Sequence, residues 1–223
     1  MTSKIYSSEE IKKDTVDQFY WDSRINASNI KVEVYDGKVI LTGKVPSYTA
    51  KLAAETDTLA IPGVSSVVNN LDIQYSPGIK LPTDVELQSN IMNNLVWNPN
   101  IDSTNINVSA NKGIVTLEGS VDSYWQKILA EELASDMAGV LSIVNKLTVV
   151  PSENIIDSSI AKAIVTCFDR NPNINIDSID VEVEEGIVTL SGTVPNWIAY
   201  YDALSSARCT VGVVNVINSL NIE

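Results

Sequence analysis

The sequence predicts an α+β protein built from three tandem α-β-β-α-β units, each a mixed three-stranded sheet with two helices packed on one face. Three observations predict it. A glycine-valine block occurs three times, as Gly37-x-Val39-x-Leu41-x-Gly43-x-Val45, Gly113-x-Val115-x-Leu117-x-Gly119-x-Val121 and Gly186-x-Val188-x-Leu190-x-Gly192-x-Val194. The same spacing carries Gly63-Val64 onto Gly139-Val140 and Gly212-Val213, and Asn69-x-Leu71 onto Asn145-x-Leu147 and Asn218-x-Leu220. Within each copy the apolar period changes from helical to alternating and back, which is the pattern of helices laid on one side of a sheet. The copies are predicted at residues 1–76, 77–150 and 151–223.

Each copy opens on a helix. Ser7-x-x-Glu10 and Thr83-x-x-Glu86 fit the capping box, and Asn154-x-x-Asp157 is a looser version of it. Helical spacing joins Ile11, Thr15 and Phe19, then Leu87, Ile91 and Leu95, then Ile160, Ile164 and Phe168. Asn98-Pro99-Asn100 and Asn171-Pro172-Asn173 stop the second and third of these helices, with Asp22-Ser23 at the matching place in the first.

Two strands follow. Ile30, Val32 and Val34 alternate with Lys31 and Glu33, and the same alternation holds at 106–109 and 179–184. Val39, Leu41, Gly43 and Val45 then form the inward set of the second strand. Asp36-Gly37, Lys112-Gly113 and Glu185-Gly186 supply hairpin turns, where glycine accepts positive φ. A second helix starts at the N-caps Ser47, Ser123 and Asn196 and runs to Gly63, Gly139 and Gly212. It crosses over to a last strand holding Val67, Leu71 and Ile73 or their counterparts, in the right-handed sense expected of a β-α-β connection. Asn69, Asn145 and Asn218 share the inward parity of that strand. A buried amide has to be hydrogen-bonded, so these are predicted to specify the fold.

Bulk properties narrow the function. The chain has 223 residues, 44% of them apolar, no histidine and a net charge of −13. By copy the charge is −2, −4 and −7. Phosphate contacts need a basic patch, so nucleic acid is excluded as a partner. Without histidine the chain lacks the commonest general base and transition-metal ligand, and no nucleophile elbow or phosphate loop appears. No catalytic residue, cofactor or metal ligand is predicted. The acidic run Asp180, Glu182 and Glu184 reads as a solvated strand face, because same-face side chains stand about 6.6 Å apart. Cys167 and Cys209 are expected to be buried free thiols, with a bridge as the lesser alternative. No apolar run reaches the length of a membrane span. The opening residues lack the apolar core of a secretory signal, which points to the cytoplasm, with the periplasm as the alternative.

The element order, the glycine-valine block and the closing Gly-Val and Asn-x-Leu anchors resemble the BON domain (bacterial OsmY and nodulation) in three copies. The resemblance implies a non-enzymatic protein associated with phospholipid or envelope surfaces and with osmotic stress. One branch of the family implies potassium or small-ligand binding instead, and a protein–protein scaffold is a third reading.

Comparing copies also suggests which aromatics face outward. Position 48/124/197 is Tyr, Tyr and Trp, always large, and is expected against the core. Positions 21/97/170 and 49/125/198 also hold Arg and Thr, residues that deep core seldom holds. Trp21, Trp97 and Trp125 are therefore the candidate contacts for a membrane surface or protein partner, the alternative being that they fill contacts between copies.

Overall fold

The computed structural model describes residues 6–153 and 155–222. Each copy contains two helices and three strands. The first has α1 (Ser8–Trp21), β1 (Ile30–Tyr35), β2 (Lys38–Val45), α2 (Tyr48–Leu59) and β3 (Ser66–Ile73). The second has α3 (Asp84–Trp97), β4 (Ile106–Asn111), β5 (Ile114–Val121), α4 (Tyr124–Ser135) and β6 (Ser142–Val149). The third has α5 (Asp157–Arg170), β7 (Ile179–Glu184), β8 (Ile187–Val194), α6 (Trp197–Arg208) and β9 (Asn215–Ile222). The three sheets are separate, each with its strands in chain order and the second strand central. β1 runs antiparallel to β2 and β3 parallel to it, with β7, β8 and β9 arranged alike. The chain packs as two compact units, Met1–Pro82 with Ala138–Ser142, and Thr83–Met137 with Ile143–Glu223. In the first unit the turn at 138–142 is held by Tyr75, whose hydroxyl donates to the Val140 carbonyl (2.9 Å) and accepts from the Gly139 N–H (2.8 Å).

Local chemistry explains the elements. Ser7 and Thr83 close full capping boxes with Glu10 and Glu86. The third helix departs from the expected start: its N-cap is Ile156, which has no side chain to cap with, and Asp157 is the first helical residue. Asn154 lies outside the described residues. The carboxylate of Asp157 is committed elsewhere, accepting the N–H groups of Glu185 (3.0 Å) and Gly186 (2.9 Å). Asp84 does the same for Lys112 (2.7 Å) and Gly113 (3.1 Å). These carboxylates clamp type I′ hairpin turns, in which Lys112 and Gly113 have φ of 51° and 76°, and Glu185 and Gly186 have 51° and 74°. The two backbone hydrogen bonds hold the Asp84 carboxyl below its ordinary range. Asp84→Ala should free both amides, and faster hydrogen exchange at Lys112 and Gly113 checks it.

The cores lie between helices and sheet. Ile11, Phe19, Val32, Val39, Leu41, Val45, Ala54 and Leu71 are buried in the first copy, and Ile160, Ile164, Phe168, Val188, Leu190, Val194, Ala203 and Leu220 in the third. Thr15, buried in the apolar stripe of α1, donates its hydroxyl to the Ile11 carbonyl at 2.7 Å. The last strand is stitched to the second helix by its asparagine. Asn69 donates to the Lys51 carbonyl (2.9 Å) and to Glu55 (3.1 Å), and Asn145 to the Lys127 carbonyl (2.8 Å) and Glu131 (3.1 Å). Their Oδ1 atoms accept from Leu71 and Leu147 two residues on. These asparagines are half-buried, so the amides sit at the core margin.

Two expectations are corrected here. The second helices stop at Leu59, Ser135 and Arg208, four residues before the glycines. Those glycines, with φ of 88°, 99° and 89°, belong to a separate turn leading into the last strand. Cys167 and Cys209 are free but exposed instead of buried. Cys167 lies one position before buried Phe168 on α5, about 100° round the helix and off the apolar stripe. Cys209 is the C-cap of α6.

Candidate functional site

In the first two copies the opening helix that buries one face in the core also turns an aromatic outward. In α1 the inward residues are Ile11, Thr15 and Phe19. Trp21 follows Phe19 by two positions, about 200° round the helix, and so faces away from the core. It is 81% exposed. α3 repeats the arrangement, with Leu95 buried and Trp97 84% exposed. Both tryptophans are the last residue of their helix. Their neighbours Tyr20 and Val96 are exposed as well, and the Tyr20 ring meets Trp21 edge-on with centroids 5.3 Å apart. In the third copy Arg170 takes the place, exposed above buried Phe168.

The chain after Trp21 is fixed by charge. Arg24 grips the Asp22 carboxylate through Nε (3.0 Å to either oxygen) and Nη2 (2.5 Å), and its backbone N–H also donates to Asp22 (2.8 Å). The guanidinium lies 3.7 Å from Asp57 of α2. The side-chain hydrogen bond from Arg24 is the main reason the Asp22 carboxyl titrates at about 2. Burial pushes Asp57 the other way, above its ordinary range. A depressed carboxyl supports the fold above its unfolded pKa of 3.8 and loses that support as pH falls toward 2, so the clamp is ionised throughout the neutral range. Arg24→Ala should return Asp22 toward 3.8, which a carboxyl-detected NMR titration would read.

Trp125 stands apart from these two. It is the second residue of α4 and 40% exposed. It lines a hollow of about 480 Å³ that also includes Arg208, at the end of α6. Trp97 does not line that hollow. Arg208 was not singled out in the sequence, since a lone arginine in a last helical turn reads as dipole compensation. The residues at 48, 124 and 197 are half-buried, and Tyr124 packs against the core of the third copy. Asp180, Glu182 and Glu184 are exposed. Among the described residues no helix is long and apolar enough to cross a membrane.

Three separate sheets, each carrying two helices and joined in one chain, define a tandem α-β-β-α-β repeat protein. More specifically, the chain belongs to the BON domain family, whose model matches residues 7–75, 83–151 and 156–223. It is 28% identical over 207 residues to osmotically-inducible protein Y of Escherichia coli, covering 90% of this chain and 98% of that protein. It is 28% identical over 137 residues to the outer membrane lipoprotein DolP of Haemophilus influenzae, covering 60% of this chain and 66% of that one. The solved structure of CdsD, a structural protein of the type III secretion system of Chlamydia trachomatis, aligns over 95% of this chain and 91% of its own at 18% identity, with a TM-score of 0.28. The expectation of a cytoplasmic protein finds no support among these relatives.

Proposed function

We propose that this chain is a non-enzymatic, envelope-associated stress protein that engages phospholipid surfaces through Trp21 and Trp97. The observation that carries the proposal is that the first two copies each end their first helix on an indole more than 80% exposed. Tryptophan has a large apolar body and one polar N–H, a combination suited to the boundary between lipid and water. A stability role does not account for leaving two such rings uncovered at matching positions. The names of the relatives, one osmotically inducible and one an outer membrane lipoprotein, support the same reading.

Charge decides which surface is preferred. An anionic leaflet repels a protein of net charge −13 and rewards lysine and arginine, so zwitterionic lipid should bind better at low salt. In vesicle flotation the full chain should rise with phosphatidylcholine vesicles. The double variant Trp21→Ala/Trp97→Ala should lose about 10-fold or more of that binding, a loss of about 1.4 kcal/mol, while keeping its circular dichroism spectrum. Failure of the unmodified chain to float with zwitterionic and anionic vesicles alike would overturn the proposal.

A further inference from the structure

We propose that the hollow between the start of α4 and the end of α6 binds a small zwitterion, a molecule joining an oxyanion to an alkylammonium group. All of its lining residues belong to the second compact unit. Its volume of about 480 Å³ falls in the usual range of small-molecule sites, about 300–1,000 Å³.

The first ground is Arg208. Its side chain is half-buried and lines the hollow. Its Nε is shielded from solvent and has no hydrogen-bond partner. Among the described residues the guanidinium makes no ion pair either. The side chain as a whole is only half-buried, so its charge stands at the wall of the hollow, and a carboxylate or phosphate oxygen is the partner that guanidinium geometry fits.

The second ground is the opposite charge on the same walls. Asp122 and Glu153 line the hollow, are exposed, and form no ion pair among the described residues. A simple anion would meet these two carboxylates within a protein of net charge −13. A simple cation would meet the guanidinium. A molecule carrying both charges satisfies both ends. Trp125 gives the cationic end an aromatic face, which favours alkylammonium over a strongly hydrated metal ion.

The third ground is that the combination occurs once. At the offsets matching Trp125 the other copies have Thr49 and Ile198, and at those matching Arg208 they have Leu59 and Ser135. Shared fold requirements therefore do not account for either residue. The inference is independent of Trp21 and Trp97.

The test is a calorimetric titration of the full chain with phosphocholine, and with choline and inorganic phosphate as its separate halves. Phosphocholine should bind saturably with one site, about 10-fold or more tighter than either half. Arg208→Gln and Trp125→Leu should each weaken it by about 10-fold or more. Trp21→Ala/Trp97→Ala should leave it unchanged, so this inference and the lipid proposal can fail separately. A second measurement needs no variant. Cys209 lines the hollow and is exposed, so phosphocholine should slow its alkylation while Cys167 on α5 keeps its rate. Slowing by phosphatidylcholine vesicles as well would assign the ligand to a lipid headgroup, and slowing by the soluble molecule alone would assign it to a free solute. Absence of saturable heat together with unchanged Cys209 alkylation would overturn the inference. So would equal phosphocholine affinity in the unmodified chain and a folded Arg208→Gln variant.

Discussion

Gly119→Ala should destabilise the chain by about 3 kcal/mol or more, a large share of the 5–15 kcal/mol that holds a typical domain together. Two costs combine. Gly119 has φ of 118°, a region in which an L-residue is strained by about 1–3 kcal/mol. A Cβ there would also overlap the carbonyl oxygen of Asn105, just before β4. That oxygen accepts the Ser120 N–H at 3.2 Å, so moving it disturbs the β4–β5 pairing. Gly43 and Gly192 have φ of 125° and 123° and meet the carbonyls of Asn29 and Ser178 in the same way. Alanine at any of the three should therefore act alike on its own copy. Gly78 separates the two costs. Its φ is 95°, but nothing lies within 4 Å of the added carbon, so Gly78→Ala should cost about 1 kcal/mol. Urea melts of the four variants measure the difference, and equal midpoints for Gly78→Ala and Gly119→Ala would contradict the steric account.

These glycines also mark what was legible in the sequence. A glycine between an inward leucine and an inward valine on a strand predicts a close approach, and repetition in three copies ties that approach to the fold. Hairpin turns, capping boxes and the strand alternation were readable because each depends on neighbours within a few residues, and the outward tryptophans because the matching positions hold Arg or Thr in another copy. The carboxylate clamps at Asp84 and Asp157 were not, because their partners are 28 and 29 residues away. The looser capping box at Asn154-x-x-Asp157 misplaced Asp157 on that account, treating as a local cap a group engaged by a distant turn. Cysteine burial was inferred from the residue type instead of the helical angle, and Phe168 next door should have shown that Cys167 points off the apolar stripe. Arg208 and Trp125 were unreadable as a pair, since they are 83 residues apart and sit in different copies. Copy comparison is strongest where copies agree and silent on what their junctions create.

Phe168→Ala should cost about 3–5 kcal/mol, through lost burial and the cavity left behind. The side chain is fully buried in the third core, among Ile160, Ile164, Val188 and Leu190. The second copy supplies its own control. Its residue at that position is Leu95, also fully buried, so a branched aliphatic side chain fits this kind of core. Phe168→Leu should accordingly cost under about 1.5 kcal/mol. Two residues further along, the same helices carry Trp21, Trp97 and Arg170, which face away from the core. Trp97→Ala should change stability by no more than about 0.5 kcal/mol, although it removes a larger side chain than Phe168→Ala does. Denaturant melts of Phe168→Ala, Phe168→Leu and Trp97→Ala measure this ordering. A large stability loss in Trp97→Ala would mean that the indole holds the fold together, and the case for it as a surface contact would go with it.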